Sequence, residues 1–153
     1  MINLKKLKFI FMTLGFFSAF SAHSTLGGAP LAQMMPYTQL NEIQLQTSSG
    51  VTYQVVIQQN TRGMVFKEFV YQGQVFAQVW FGSAVPSLNE VLGANLYSRY
   101  ENALIHSTNR SHRQVQITDQ ELNVTNYGRM GDFWGTSYLS NSLPPGFSIN
   151  DIQ

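Results

Sequence analysis

The chain contains no cysteine, only three histidines and little charge: 11% of its 153 residues are Asp, Glu, Lys or Arg. Without cysteine there is no disulfide, no thiol nucleophile and no site for lipoprotein-type acylation. So few cations exclude the electrostatic footprint of a nucleic-acid binder. Beyond the N-terminus, no segment is apolar over the roughly 20 residues that a membrane-spanning helix needs. What is present is a chain that is 44% hydrophobic and 13% aromatic, with its polar surface supplied by Gln, Asn, Ser and Thr. Neutral polar side chains between apolar ones suit β-structure better than a solvated helical bundle.

The first residues, "MINLKKLKFIFMTLGFFSAFSAHS", carry Lys5, Lys6 and Lys8, then an apolar run from Phe9 to Phe20, then small residues. This is the three-part layout of a secretory signal peptide. Ala22 and Ser24 place the cut before Thr25, so residues 1–24 are expected to be removed and 25–153 to form one exported domain. Loss of three lysines leaves six basic residues against eight acids, a net charge of −2 where the full chain has +1. An exported domain without disulfides must rely on its own core, and 129 residues suffice to bury roughly two-thirds of the unfolded surface.

Residues 25–36, with Gly27, Gly28, Pro30 and Pro36, read as an arm without regular structure. Leu40, Ile43 and Leu45 then mark a weak strand, "TSSG" a turn, and Val51, Tyr53, Val55 and Ile57 a clean alternation. The strongest hairpin signal is "MVFKEFVYQGQVFAQVWF", with Gln72-Gly73 as its two-residue turn. An unbroken register from that turn sets Val70 opposite Val75, Glu68 opposite Ala77 and Phe66 opposite Val79. One face then carries Glu68 among core residues, and the other carries Phe69, Tyr71, Phe76 and Trp80. A helix is expected over about 87–106: Ser87 and Glu90 have capping-box spacing, and Leu88, Val91, Leu92, Leu96, Tyr100, Ala103 and Leu104 form an apolar stripe. Gly93 inside it is expected to reflect close packing. "RQVQITD", "ELNVTNY" and "DFWGTSYL" are short strands, the latter two joined through the glycines at 128 and 131, and 140–153 is an extended, proline-containing tail. Strands, one helix, then strands describe an α+β fold, an antiparallel sheet with the helix packed on one face.

Known site chemistries find little to work with. His106 and His112 are six apart and not on one helix face, so no metal site is expected. No G-x-S-x-G elbow is present for a serine hydrolase, and the glycines of "GRMGDFWG" lack the lysine of a phosphate loop. Glu68 is the acid of interest. A carboxylate on a core face must be paired or have a raised pKa; it is expected either to pair with an arginine such as Arg113 or Arg129, or to serve as an acid/base residue. Arg110, His112 and Arg113 form a small basic cluster after the helix. The aromatic set Phe69, Tyr71, Phe76 and Trp80, extended by Phe133, Trp134 and Tyr138, is either a platform for a sugar ring or partner protein, or a second core layer under the arm and tail.

Leu26-Gly27-Gly28-Ala29-Pro30, Glu68-Phe69-Val70, Gly73 to Phe76, Trp80 to Gly82, Pro86-Ser87-Leu88, Gly128 to Met130 and Leu143 to Phe147 occur in this order along the chain. In order and spacing they resemble the bacterial domain-of-unknown-function 2844 family. The family tends to have Gly-Gly-His-Met in the last hairpin, where this chain has Tyr127-Gly128-Arg129-Met130. The resemblance implies an exported bacterial protein and no particular activity. The resulting expectation is a periplasmic or secreted, non-enzymatic binding, structural or accessory module of the cell envelope, without cofactor, whose partner is an envelope protein or a glycan and not nucleic acid. The alternative is a small envelope hydrolase using Glu68.

Overall fold

The structure, a computed structural model, describes residues 26–31, 36–108, 111 and 113–152. The expected signal peptide, part of the arm, and Arg110 and His112 of the basic cluster lie outside the described residues. Seven strands form one antiparallel sheet: β1 (Tyr37–Gln46), β2 (Thr52–Asn60), β3 (Val65–Tyr71), β4 (Gln74–Gly82), β5 (Gln114–Asp119), β6 (Leu122–Arg129) and β7 (Asp132–Leu139). Their spatial order is β1-β2-β3-β4-β7-β6-β5. Two meanders therefore meet where β7 pairs with β4, after helix α1 (Leu88–His106) has carried the chain across to the far edge. The α+β architecture is the one expected, with a single main helix on one face of the sheet.

The turns follow local chemistry. Gln72 and Gly73 both have positive φ, 52° and 78°, the combination that gives a two-residue hairpin the twist of its strands. Gly63 closes the β2–β3 turn by donating to the Asn60 carbonyl at 3.0 Å, while the Asn60 side chain accepts from the amides of Arg62 and Met64.

Two features of α1 differ from the sequence-based expectation. Ser87 occupies the N-cap position but makes no side-chain cap bond, and the Glu90 carboxylate, the other half of a capping box, instead accepts from the Tyr37 hydroxyl at 3.1 Å. Gly93 interrupts the helix with φ 77° and ψ 159°. Its reason is conformational, since an L side chain rarely occupies that region.

The hairpin register is also corrected. Val70 does face Val75, but the ladder then slips at Phe69/Val70, so that Phe69 faces Ala77, Glu68 faces Gln78 and Phe66 faces Trp80. Phe76 is the extra residue of a β-bulge, which shifts every later residue of β4 to the other face. Ala77 and Val79 consequently join Phe69 and Phe76, while Gln78 and Trp80 turn toward the helix beside Glu68 and Phe66.

The sheet thus has a packed core on each face. On the helix face, Val56, Met64, Phe66, Val70, Val75, Trp80, Ile117, Leu122, Val124 and Leu139 pack with Val91, Leu92 and Tyr100 of α1 and with Leu26 and Leu31 of the arm. The arm docks as a short extension of the sheet: past the end of β7, Gly27 donates to the Val75 carbonyl at 2.7 Å and Val75 donates to Gly28 at 2.8 Å. On the opposite, tail face, Tyr53, Val55, Phe69, Phe76, Ala77 and Val79 are covered by Leu143, Phe147 and Ile152. The tail is clipped to the β1–β2 turn by Thr47 and Ser48, whose hydroxyls donate to the carbonyls of Pro145 (2.7 Å) and Gly146 (2.8 Å). The outermost strand β1 is exposed along nearly all its length, and its register slips between Gln39 and Asn41, a bulge of the kind that blunts free sheet edges.

Candidate functional site

The four aromatics singled out from the sequence do not form one open face. Phe69, Phe76 and Trp80 are buried, at 3%, 1% and 0% exposure, and Tyr71 is half-buried. Phe69 and Phe76 belong to a ring cluster with Tyr53 and with Phe147 of the tail, whose ring centroid lies 4.8 Å from that of Phe76 in an edge-to-face arrangement. Trp80 is on the other side of the sheet. Its indole N–H donates to Asn126 Oδ1 at 3.3 Å, and it lies over Gly135, where a Cβ would collide with the ring and with the Thr125 carbonyl. The physical cause is the Phe76 bulge, which separates Trp80 from the other three.

Glu68 is enclosed, with no solvent exposure. It is not paired with Arg113 or Arg129. Its Oε2 accepts from the Leu31 backbone at 2.8 Å and from Gln58 Nε2 at 2.5 Å, and its Oε1 accepts from Gln78 Nε2 at 2.9 Å. Ser137 extends the chain by donating to Gln78 Oε1 at 3.4 Å. All the side chains in this cluster are neutral apart from the carboxyl itself. Burial pushes the Glu68 carboxyl up to about 7, against the downward pull of bonds from Gln78, Leu31 and Gln58. Gln58 Oε1 is buried without a partner among the described residues. The cluster fastens the arm to the sheet through Leu31, with the carboxyl fully buried.

The open part of the tail face lies beyond the reach of the tail, and register builds it. Phe81 faces Trp134, Trp134 faces Tyr127, and Tyr127 faces Gln114, one after another across β4, β7, β6 and β5. Trp134 and Phe81 are 43% and 40% exposed. The Tyr127 and Trp134 rings stack at 4.0 Å between centroids and 16° between planes, and Gln114 Nε2 donates to the Tyr127 hydroxyl at 2.8 Å. Lys67 Nζ sits 5.9 Å from the centre of the Phe81 ring. Of the rings expected to extend the platform, Trp134 and Tyr138 are on this face. Phe133 points the other way and covers Gly128, where a Cβ would lie 2.9 Å from the ring. Beside the stacked pair, a cleft of about 270 Å³ is bordered by Arg113 and Arg129 as well as Asp132.

The remaining candidates are dispersed. His106 bonds its Nδ1 to the Asn102 carbonyl at 2.8 Å within its own helix. Arg99 ties α1 to the β5–β6 turn through Asp119 (2.8 Å) and Glu121 (2.6 Å). Among the described residues, no group of three His, Asp or Glu side chains could hold a metal ion, and no helix is long and apolar enough to cross a membrane.

The motifs that suggested a family from sequence are those that hold this arrangement together: the arm on Val75, the Glu68 cluster, the bulged β4 and the tail over Phe76. The family model described as "Protein of unknown function (DUF2844)" matches residues 22–152. The chain belongs to this family. No curated protein and no solved structure matches it. In this DUF2844 chain Arg129, from the last hairpin, stands at the rim of the cleft.

Proposed function

We propose that this DUF2844 protein is exported, to the periplasm or the medium of a bacterium, and acts there as a non-enzymatic binding or accessory module of the cell envelope. Export is supported by the basic, apolar and small-residue layout of its first 24 residues, and by a family match that begins only at residue 22. Binding is supported above all by one observation: two large rings, Trp134 and Phe81, stand exposed side by side on the sheet face whose centre is covered by the tail. A hydrolase using Glu68 is disfavoured by the enclosure of that carboxyl.

Expression of the full chain with its own N-terminus, followed by fractionation and intact-mass measurement, tests the first half. The expected product is a chain starting at Thr25 in the periplasm or medium; an unprocessed cytoplasmic chain overturns export. For the second half, the processed protein is assayed for release of soluble fragments from envelope polymers. No release is expected; release that disappears in Glu68→Gln overturns the binding reading in favour of hydrolysis.

A further inference from the structure

We propose that the cleft beside Tyr127 and Trp134 binds an acidic saccharide, a sugar ring bearing a carboxylate, with the ring against Trp134 and the carboxylate on Arg113 and Arg129. This rests on the binding reading above and names its ligand class. Three observations converge on it. The first is the stack itself: with rings 4.0 Å apart and nearly parallel, each gives one face to the other, and Trp134 stays 43% exposed. A preordered, half-exposed indole is the element against which the C–H face of a sugar packs, apolar ring on apolar ring, at little entropic cost.

The second observation is charge. Arg113 and Arg129 both border the cleft, and neither guanidinium has an ion-pair partner among the described residues. Asp132, the cross-strand neighbour of Arg129, borders it too, so the rim carries two cations and one anion. A carboxylate ligand can take the planar, two-pronged bonds that guanidinium groups offer. The third is the surrounding surface, antiparallel β-sheet with neutral hydrogen-bonding side chains. Gln114, Gln116, Thr118, Asn123, Thr125 and Thr136 all share the face of Tyr127 and Trp134 by register, and they suit hydroxyl groups rather than an apolar partner. At about 270 Å³ the cleft is smaller than the roughly 300–1,000 Å³ of sites for drug-sized molecules, the scale of one sugar ring. A single strand of nucleic acid would also stack on Trp134, but a chain of net charge −2 after residue 24 lacks the cationic track that follows a phosphate backbone.

The test is isothermal titration calorimetry of the processed chain with a galacturonate oligosaccharide, an uncharged glucan oligosaccharide of equal length and a single-stranded oligonucleotide. Saturable binding of the galacturonate is expected, with the glucan about tenfold weaker or worse. Trp134→Ala is expected to abolish binding, and Arg113→Ala and Arg129→Ala to weaken it about tenfold each, with thermal melts near wild type because all three side chains are at the surface. Absence of galacturonate binding, binding that survives Trp134→Ala, equal affinity for the glucan, or preference for the oligonucleotide each overturns the proposal. Processing and location are read by mass and fractionation, so a correctly exported chain that fails the titration overturns the saccharide site and leaves export standing.

Discussion

At the scale of single residues, Glu68 sets how stability should depend on pH. Its carboxyl titrates near 7 when folded and near the ordinary glutamate value when unfolded. Between those values the native state holds a proton that the unfolded state has released. The stabilisation is therefore complete at pH 4 and lost progressively as pH rises through 7. A shift of this size corresponds to about 3 kcal/mol in the limiting case. Urea unfolding of the wild type across pH 4 to 8 is expected to show stability falling with pH, and Glu68→Gln, which cannot ionise, is expected to flatten that slope. An unchanged slope in the variant would assign the pH dependence to other groups. The role of Glu68 as a core acid follows from alternation along β3; its partners do not, because Gln58 and Gln78 arrive from neighbouring strands and Leu31 from a segment 37 residues away.

At the scale of elements, glycine and the tail make opposite kinds of contribution. Gly93→Ala in an ordinary helix would add roughly 1 kcal/mol of stability. Here the backbone at φ 77° and ψ 159° reverses the sign, and a loss of about 1–3 kcal/mol is expected, read as a lower denaturation midpoint. A gain would mean that α1 runs straight through Gly93. The tail is an element of the core despite its irregular backbone. Phe147 meets Tyr53, Phe69 and Phe76 edge-on, with centroids 4.8 to 6.0 Å away, so Phe147→Ala is expected to cost about 3 kcal/mol. The same variant should increase binding of a hydrophobic dye by baring Phe69 and Phe76; an unaltered dye signal and midpoint would show that the tail does not cover them. From sequence, helix and strand limits were legible to within a few residues, since periodicity and turn chemistry are local. The Phe76 bulge was not, because nothing in "GQVFAQVW" distinguishes an inserted residue from continued alternation.

At the scale of the molecule, the arm is the first described segment of the chain and also part of its core. Leu26 and Leu31 are buried at 3% and 1% exposure, and the arm supplies backbone partners to Val75 and Glu68. Starting the chain at Pro36 is expected to lower stability by about 4 kcal/mol or more, the sum of two buried leucines on the usual scale. The measurement is the urea midpoint against the chain starting at Thr25; equal midpoints would make the arm dispensable.

Composition, periodicity and turn residues by themselves determined an antiparallel α+β domain with one helix, because those signals act over a few residues. They also carried the family, whose motifs are short segments in fixed order. The tertiary structure alone decided which aromatics are core and which are surface. One extra residue in β4 sends Trp80 to the helix face, the tail covers Phe69 and Phe76, and the distant pairing of β4 with β7 brings Phe81 beside Trp134 and Tyr127. Pairing between strands about 50 residues apart depends on the whole sheet closing, and no local pattern encodes it.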